Sequence, residues 1–191
     1  MKLLLEGWRG LWIECEAKFV LDITHRFRDA IEAGRLKVKT AFITCDNINA
    51  LIGSYFEGEI DLLSIDIDGN DIYILESITV VNPRVIVIEY SGKFPPPINV
   101  AQEYNPQYIW GGSDYSGSSL EAITKIATRK GYCLVGCGIV GANAFFVRRD
   151  LVGDRFQQPF TADNHYQPAR YFLWQTYVSG HPPNWGPYRT I

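Results

Sequence analysis

Residues 60–71 of the chain read IDLLSIDIDGND. The first eight, IDLLSIDI, form an apolar, β-rich run, and DGND is a turn. A helix carrying Ile74, Leu75 and Ile78 follows it. A strand that passes through a tight turn into a helix is the repeating unit of an α/β sheet. Ligands of such sheets bind beyond the carboxyl ends of the strands, so the acids there are the first candidates for function.

The same unit recurs on both sides. Upstream, residues 10–14 (GLWIE) are a short buried strand ending in Glu14. Val20, Ile23, Phe27, Ala30 and Ile31 then fall at helical spacing, which predicts one helix over residues 17–33 closed by Gly34. Residues 36–44 (LKVKTAFIT) alternate as a second strand, and Asp46 is the expected N-cap of a short helix with Ile48, Leu51, Ile52 and Tyr55. Downstream, residues 84–90 (RVIVIEY) are the most apolar strand, of the kind covered on both faces.

Residues 91–117, rich in Gly, Pro, Ser and aromatics, read as a long ordered loop. Residues 118–121 are a capping-box pattern for a helix that ends before Gly131. Residues 132–137 and 143–149 read as a strand pair joined by a Gly-containing turn. The expected fold is α/β: a mostly parallel, Rossmann-like sheet with an antiparallel C-terminal hairpin, over residues 1–150. Residues 150–191 have little periodicity and read as an extended tail laid over that domain.

Composition narrows the function classes. At 191 residues, 47% hydrophobic and 20% charged, the chain suits one packed domain. A net charge of -3 gives no basic footprint for nucleic acid and no polybasic patch for anionic lipid. No apolar run approaches the roughly 20 residues of a membrane span, and Leu3-Leu4-Leu5 is too short for a signal-peptide core. Cys15, Cys45, Cys133 and Cys137 make no CxxC pair and read as reduced, mostly buried thiols of a cytoplasmic protein.

The carboxylates carry the candidate chemistry. Glu14, ending a strand, is either a ribose-binding acid or a solvated strand end. Asp66, Asp68 and Asp71 suggest a metal site, a general base, an amine-binding edge, or a polar strand-to-helix turn with Asp71 near the helix N-terminus. The motif fails as a calcium loop, because its glycine comes too early and the twelfth position holds no glutamate. As a phosphohydrolase motif, Asp66 would be nucleophile and Asp68 acid/base, but Asn70 stands where a hydroxyl is expected. Glu89 is expected beside Asp66 across the sheet, sharing a metal or a proton with it, or paired with Lys93. His25 reads as structural, whereas His165 and His181 either pack or reach over the site as a base. Tyr104, Tyr108, Trp110 and Tyr115 form an acceptor wall or cover the sheet edge.

Taken in order, GWRGLWIE, FITCDNINALI, IDLLSIDIDGNDIYILESI, RVIVIEY and GYCLVGCGIVGANAFFVRRDL resemble the FkbM-like methyltransferase family over roughly residues 1–150. The resemblance implies a class I methyltransferase fold and S-adenosylmethionine-dependent O-methylation of a sugar, polysaccharide or natural-product hydroxyl, with a divalent metal as an option. It implies that Glu14 binds the cofactor ribose and that Asp46 and Asn47 lie near the adenine. Asp66 and Asp68 would border the methionine end and the acceptor, with Glu89 beside them.

The sequence also departs from the family. The strand and Gly-rich turn that precede GWRGLWIE in the family have no counterpart here. The expectation is therefore a fragment, a strand supplied by another chain, or a sheet re-formed without it. A scaffold protein that has lost its cofactor loop is the alternative function. These residues alone are expected to be homo-oligomeric or poorly stable, with weak or no cofactor binding.

Overall fold

A computed structural model describes residues 2–173 and 180–191. A short helix α1 (Lys2–Leu5) leads into strand β1 (Gly10–Glu14), helices α2 (Ala17–Arg26) and α3 (Arg28–Glu32), and strand β2 (Leu36–Thr40). Helix α4 (Ile48–Gly53), β3 (Gly58–Ile65), α5 (Asp71–Ser77) and β4 (Val81–Glu89) follow. Then come β5 (Val100–Gln102), α6 (Leu120–Arg129), β6 (Tyr132–Cys137), β7 (Asn143–Arg148), α7 (Ala162–His165) and β8 (Tyr188–Thr190).

The fold is α/β, but its sheet is mixed rather than mostly parallel. The main sheet has the order β3-β4-β7-β6, in which only β3 and β4 run parallel. Strands β1 and β2 pair parallel in a separate two-stranded sheet, and β5 pairs antiparallel with β8. The strand run expected at 60–67 is β3, displaced toward its start. The run at 84–90 is β4, extended back to Val81.

Burial explains the division. The main core joins α5, α6 and one face of the four-stranded sheet through Ile72, Leu75, Ile86, Ile88, Ile123 and Phe146. The other face packs Val85, Cys133 and Val147 against Val152, Phe156 and Phe160 from the tail. Strand β4 is thus covered on both sides, as its unbroken apolar run requires. The β1–β2 unit has a much smaller core, in which only Leu4, Ala30 and Leu36 are buried. Trp12 faces that small core, while Ile13 faces the main one.

Local departures from the sequence reading have local causes. The single helix expected over 17–33 breaks at Phe27 (φ -113°, ψ 23°), whose ring packs edge-on against Trp12 at 4.9 Å. Strand β2 stops at Thr40 rather than residue 44. There the Asn47 side chain accepts from the Thr44 N–H and donates to the Phe42 carbonyl, tying residues 42–47 into a loop. Asn47, not Asp46, therefore precedes α4. The cap of α6 is Ser119, which accepts from the Ala122 N–H. Ser118 is instead engaged as backbone, bridging Ala101 and accepting from the Ser91 N–H.

The tail is more structured than its composition suggests. Beyond α7 it crosses the β6–β7 turn and returns as β8, although residues 174–179 of the expected tail lie outside the described residues. Among the described residues no helix is long and apolar enough to cross a membrane. The four cysteines are unpaired; Cys133 is buried, while Cys15 is exposed, against the expectation of mostly buried thiols.

Candidate functional site

The parallel register of β3 and β4 places Ile65 opposite Ile88, so Asp66 and Glu89 leave the sheet side by side. Asp66, Asp68 and Glu89 each offer a carboxylate oxygen within 4.8 Å of the other two. The turn after β3 makes this possible. Asp68 adopts φ 62°, a left-handed conformation that Asp tolerates better than most residues. Asp71, 1% exposed, accepts from the Ile67 N–H at 3.0 Å and the Gly69 N–H at 2.9 Å, which fixes the turn from inside.

The turn is clamped from outside as well. Asn70 donates to the Asn105 carbonyl at 2.7 Å, and Ser116 donates to the Asp68 carbonyl at 2.8 Å. Gly69 lies against the side chains of Gln102 and Tyr108, where an added Cβ would come within 2.7 Å of both. Gln102 is fully buried and accepts from the Gly117 N–H, so it cannot swing away. Gly69→Ala is expected to push the 66–70 turn off its seat and to destabilise the protein by about 1–3 kcal/mol, the usual cost of overpacking. Thermal unfolding checks this, and an unchanged midpoint would mean that the turn does not pack on Gln102.

The electrostatics are one-sided. Burial, then the neighbouring Asp66, Asp71 and Asp68, pushes Glu89 up to about 8. Burial and the Asp68 charge raise Asp66, and burial and the Glu14 charge raise Asp68. Asp71 is pushed up to about 6 by burial, which its backbone hydrogen bonds offset in part. Among the described residues none of these acids forms a salt bridge. Lys93 does not pair with Glu89. It bonds Asp114 at 3.0 Å and the Asn184 carbonyl at 3.1 Å, between the rings of Phe94, Trp185 and Tyr188.

Glu14 stands at the end of β1, where its Oε1 accepts from the Glu16 N–H at 2.8 Å. Its charge is near enough to raise the pKa of Asp68, although it is not part of the Asp66, Asp68 and Glu89 cluster. Asp46 is exposed near Tyr104, whose hydroxyl accepts from the Cys45 N–H. Asn47 spends both side-chain groups on its own loop.

Aromatic residues roof this edge. Tyr108 donates to the Tyr115 carbonyl, and Tyr115 donates to the Pro187 carbonyl. Tyr171 lies close enough to Glu89 for that charge to raise its pKa, after burial. The His181 ring lies edge-on between Tyr171 and Trp110, at 5.4 Å and 4.8 Å. His165 is buried in α7, which packs on α6 and β6 at the far edge of the sheet, and burial lowers its pKa. His25 is exposed on α2. Gln102 and Tyr171 were not legible as site residues. The first lies in a three-residue strand and the second in a segment without periodicity.

A second feature lies between the two parallel strand pairs. A cleft of about 430 Å³ separates β1 from β3 and is lined by Leu11 and Ile13 on one side and Ile60, Leu62 and Ser64 on the other. Its walls include Leu4, Ile48, Ile52 and Ile74, and Asp66 stands at its acidic end. No family model, no curated protein and no solved structure matches the chain.

Proposed function

We propose that this chain carries the acceptor side and the ribose side of an S-adenosylmethionine-dependent O-methyltransferase site. The convergence of Asp66, Asp68 and Glu89 at the ends of β3 and β4, with Glu14 at the end of β1 near enough to act on Asp68, carries this reading. S-adenosylmethionine bears a sulfonium and an ammonium group, and a rim of unpaired carboxylates suits a cationic ligand. When bound, the cofactor supplies the methyl group.

The chain's own residues supply the rest. Glu14 keeps Oε2 for ribose hydroxyls, and Asp46 and Asn47 border the base. Asp66 faces the ammonium end. Glu89, once deprotonated above its pKa of about 8, accepts the proton of an acceptor hydroxyl, and Asp68 orients that hydroxyl. The acceptor is a small molecule or a glycan lying against Tyr108, Tyr115 and Tyr171. Asp66, Asp68 and Glu89 are also an all-oxygen set of the kind that magnesium or calcium accepts.

One part of the cofactor fits poorly. Residues 2–9 form a helix and turn, and Gly7 faces open space rather than a backbone cradle for the methionine end. The open cleft between β1 and β3 favours a second reading, a methyltransferase-like binding or scaffold protein. Titration with S-adenosylhomocysteine followed by NMR separates the two. The first reading expects weak, saturable shifts at Glu14, Asp66 and Glu89, and a further loss of about 1–3 kcal/mol in Glu14→Ala from unpaired hydrogen bonds. No shifts at millimolar ligand leave the scaffold reading.

A further inference from the structure

We infer that residues 180–187 are a strap that occupies the aromatic acceptor wall and must lift to admit an acceptor, with Lys93 as its latch; the role of that wall rests on the reading above. The strap lies directly on the rings. A Cβ added to Gly186 would come within 2.8 Å of the Tyr115 ring, and one added to Gly180 within 2.9 Å of the Tyr171 ring. Tyr108 and Tyr188 close on Tyr115 edge-on, at 6.1 Å and 5.1 Å, and the His181 ring closes on Tyr171 at 5.4 Å. A flat ligand therefore reaches those faces of Tyr115 and Tyr171 only where the strap now lies.

The attachment is polar and gathers on one residue. Lys93 Nζ bonds the Asp114 carboxylate and the Asn184 carbonyl, and it lies 4.9 Å from the centre of the Trp185 ring. Asp114 in turn accepts from the Asn184 N–H, and its own N–H donates to the Pro182 carbonyl. The Lys93 and Asp114 side chains are 17% and 24% exposed, so salt screens the pair less than an exposed one. Apolar burial contributes little, because Pro182, Pro183, Asn184 and Trp185 are all exposed, Trp185 at 77%. A segment with few buried apolar contacts opens locally without global unfolding. Its far end stays anchored, because β8 pairs with β5 and Ile191 packs on the main core.

Amide hydrogen exchange in the whole chain reads the latch at Glu103, Asp114, Asn184 and Gly186, whose N–H groups bond to the strap or within it. Lys93→Met keeps an apolar stem among the rings and removes the charge. Gly186→Val wedges the strap off Tyr115 without touching Lys93. Both variants are expected to speed exchange at those four amides by about tenfold or more and to leave β4 and β7 unchanged. Indole is a planar probe for an uncovered tyrosine face. It is expected to shift the NMR signals of the Tyr115 and Tyr171 rings in both variants and not in the parent. Unchanged exchange in either variant, equal acceleration in β4 and β7, or indole shifts as large in the parent as in the variants would overturn the strap. So would freed amides with no response to indole. None of these readouts involves S-adenosylmethionine, so a failure to bind S-adenosylhomocysteine counts against the methyltransferase reading and leaves the strap standing.

Discussion

Gly141→Ala is expected to destabilise the protein by about 2–5 kcal/mol, the combined cost of a left-handed backbone at a residue with Cβ and of overpacking. Gly141 has φ +81°, and an added Cβ would overlap the Pro168 carbonyl and lie 2.7 Å from the Ala169 nitrogen. Gly92 meets the same segment from the other side, where a Cβ would be 2.8 Å from that nitrogen. The tail thus passes between two glycines, and hydrogen bonds hold it there. Tyr166 donates to the Gly92 carbonyl, Tyr90 to the Gln167 carbonyl, and the Arg170 N–H to the Val140 carbonyl. These groups are backbone, the buried Tyr90 and the half-buried Tyr166, so none can retreat cheaply. Gly153→Ala is the control. Its φ of +56° imposes the same backbone strain, but nothing lies within 4 Å of an added Cβ. Denaturant unfolding of both variants isolates the packing contribution. Equal losses would mean that the tail does not seat on the β6–β7 turn.

That seat also bears on the site, because the tail leaves it toward Tyr171 and the Glu89 carboxylate. Sequence reasoning found the strands that end in acids, because a parallel strand with two covered faces must be continuously apolar. RVIVIEY carries that signature locally, whereas IDLLSIDI is apolar and β-rich but interrupted by the exposed Asp61 and Ser64, and the placement of Asp66 beside Glu89 follows from the two strands together. Which strands pair is a different kind of information. Nothing in GLWIE or LKVKT says that they form a sheet of their own, since pairing is decided by partners remote in sequence. The mixed main sheet arises in the same way, from a hairpin that adds on to β4 rather than from any feature of β4 itself.

Single-residue choices were lost where two polar neighbours compete. Ser118 and Ser119 both satisfy a cap pattern, and the choice falls to Ser119 because the Ser118 backbone already bonds Ser91 and Ala101. Asp46 and Asn47 compete likewise, and only an amide can both donate and accept across the 42–47 loop. The short pairing of β5 with β8 was invisible because it joins residues nearly ninety positions apart in two aperiodic segments. It nonetheless holds Gln102, the residue on which the acidic turn rests.

Glu89→Gln is expected to stabilise the protein at alkaline pH while removing the proposed base. Glu89 carries a folded-state pKa of about 8 against an ordinary value of 4.5, raised by burial and by three neighbouring carboxylates. Between those two values the folded protein holds a proton that the unfolded chain releases. Stability contributed by protonated Glu89 is therefore lost as pH rises through that window. Each pKa unit corresponds to about 1.4 kcal/mol, and sharing of the proton with Asp66 and solvent at the rim reduce the total. The variant should match the parent near pH 4.5 and exceed it by about 2–4 kcal/mol at pH 8, in chelator. Asp71→Asn should instead lower stability at both pH values. Its carboxylate accepts from two backbone N–H groups, and an amide would turn an NH₂ toward one of them. If the three carboxylates take a divalent cation, magnesium restores the parent at pH 8 and leaves Glu89→Gln nearly unmoved. Chemical denaturation at the two pH values reads all of this, and a parent whose stability is flat from pH 5 to 8 would show that Glu89 is charged and solvated rather than crowded by acids.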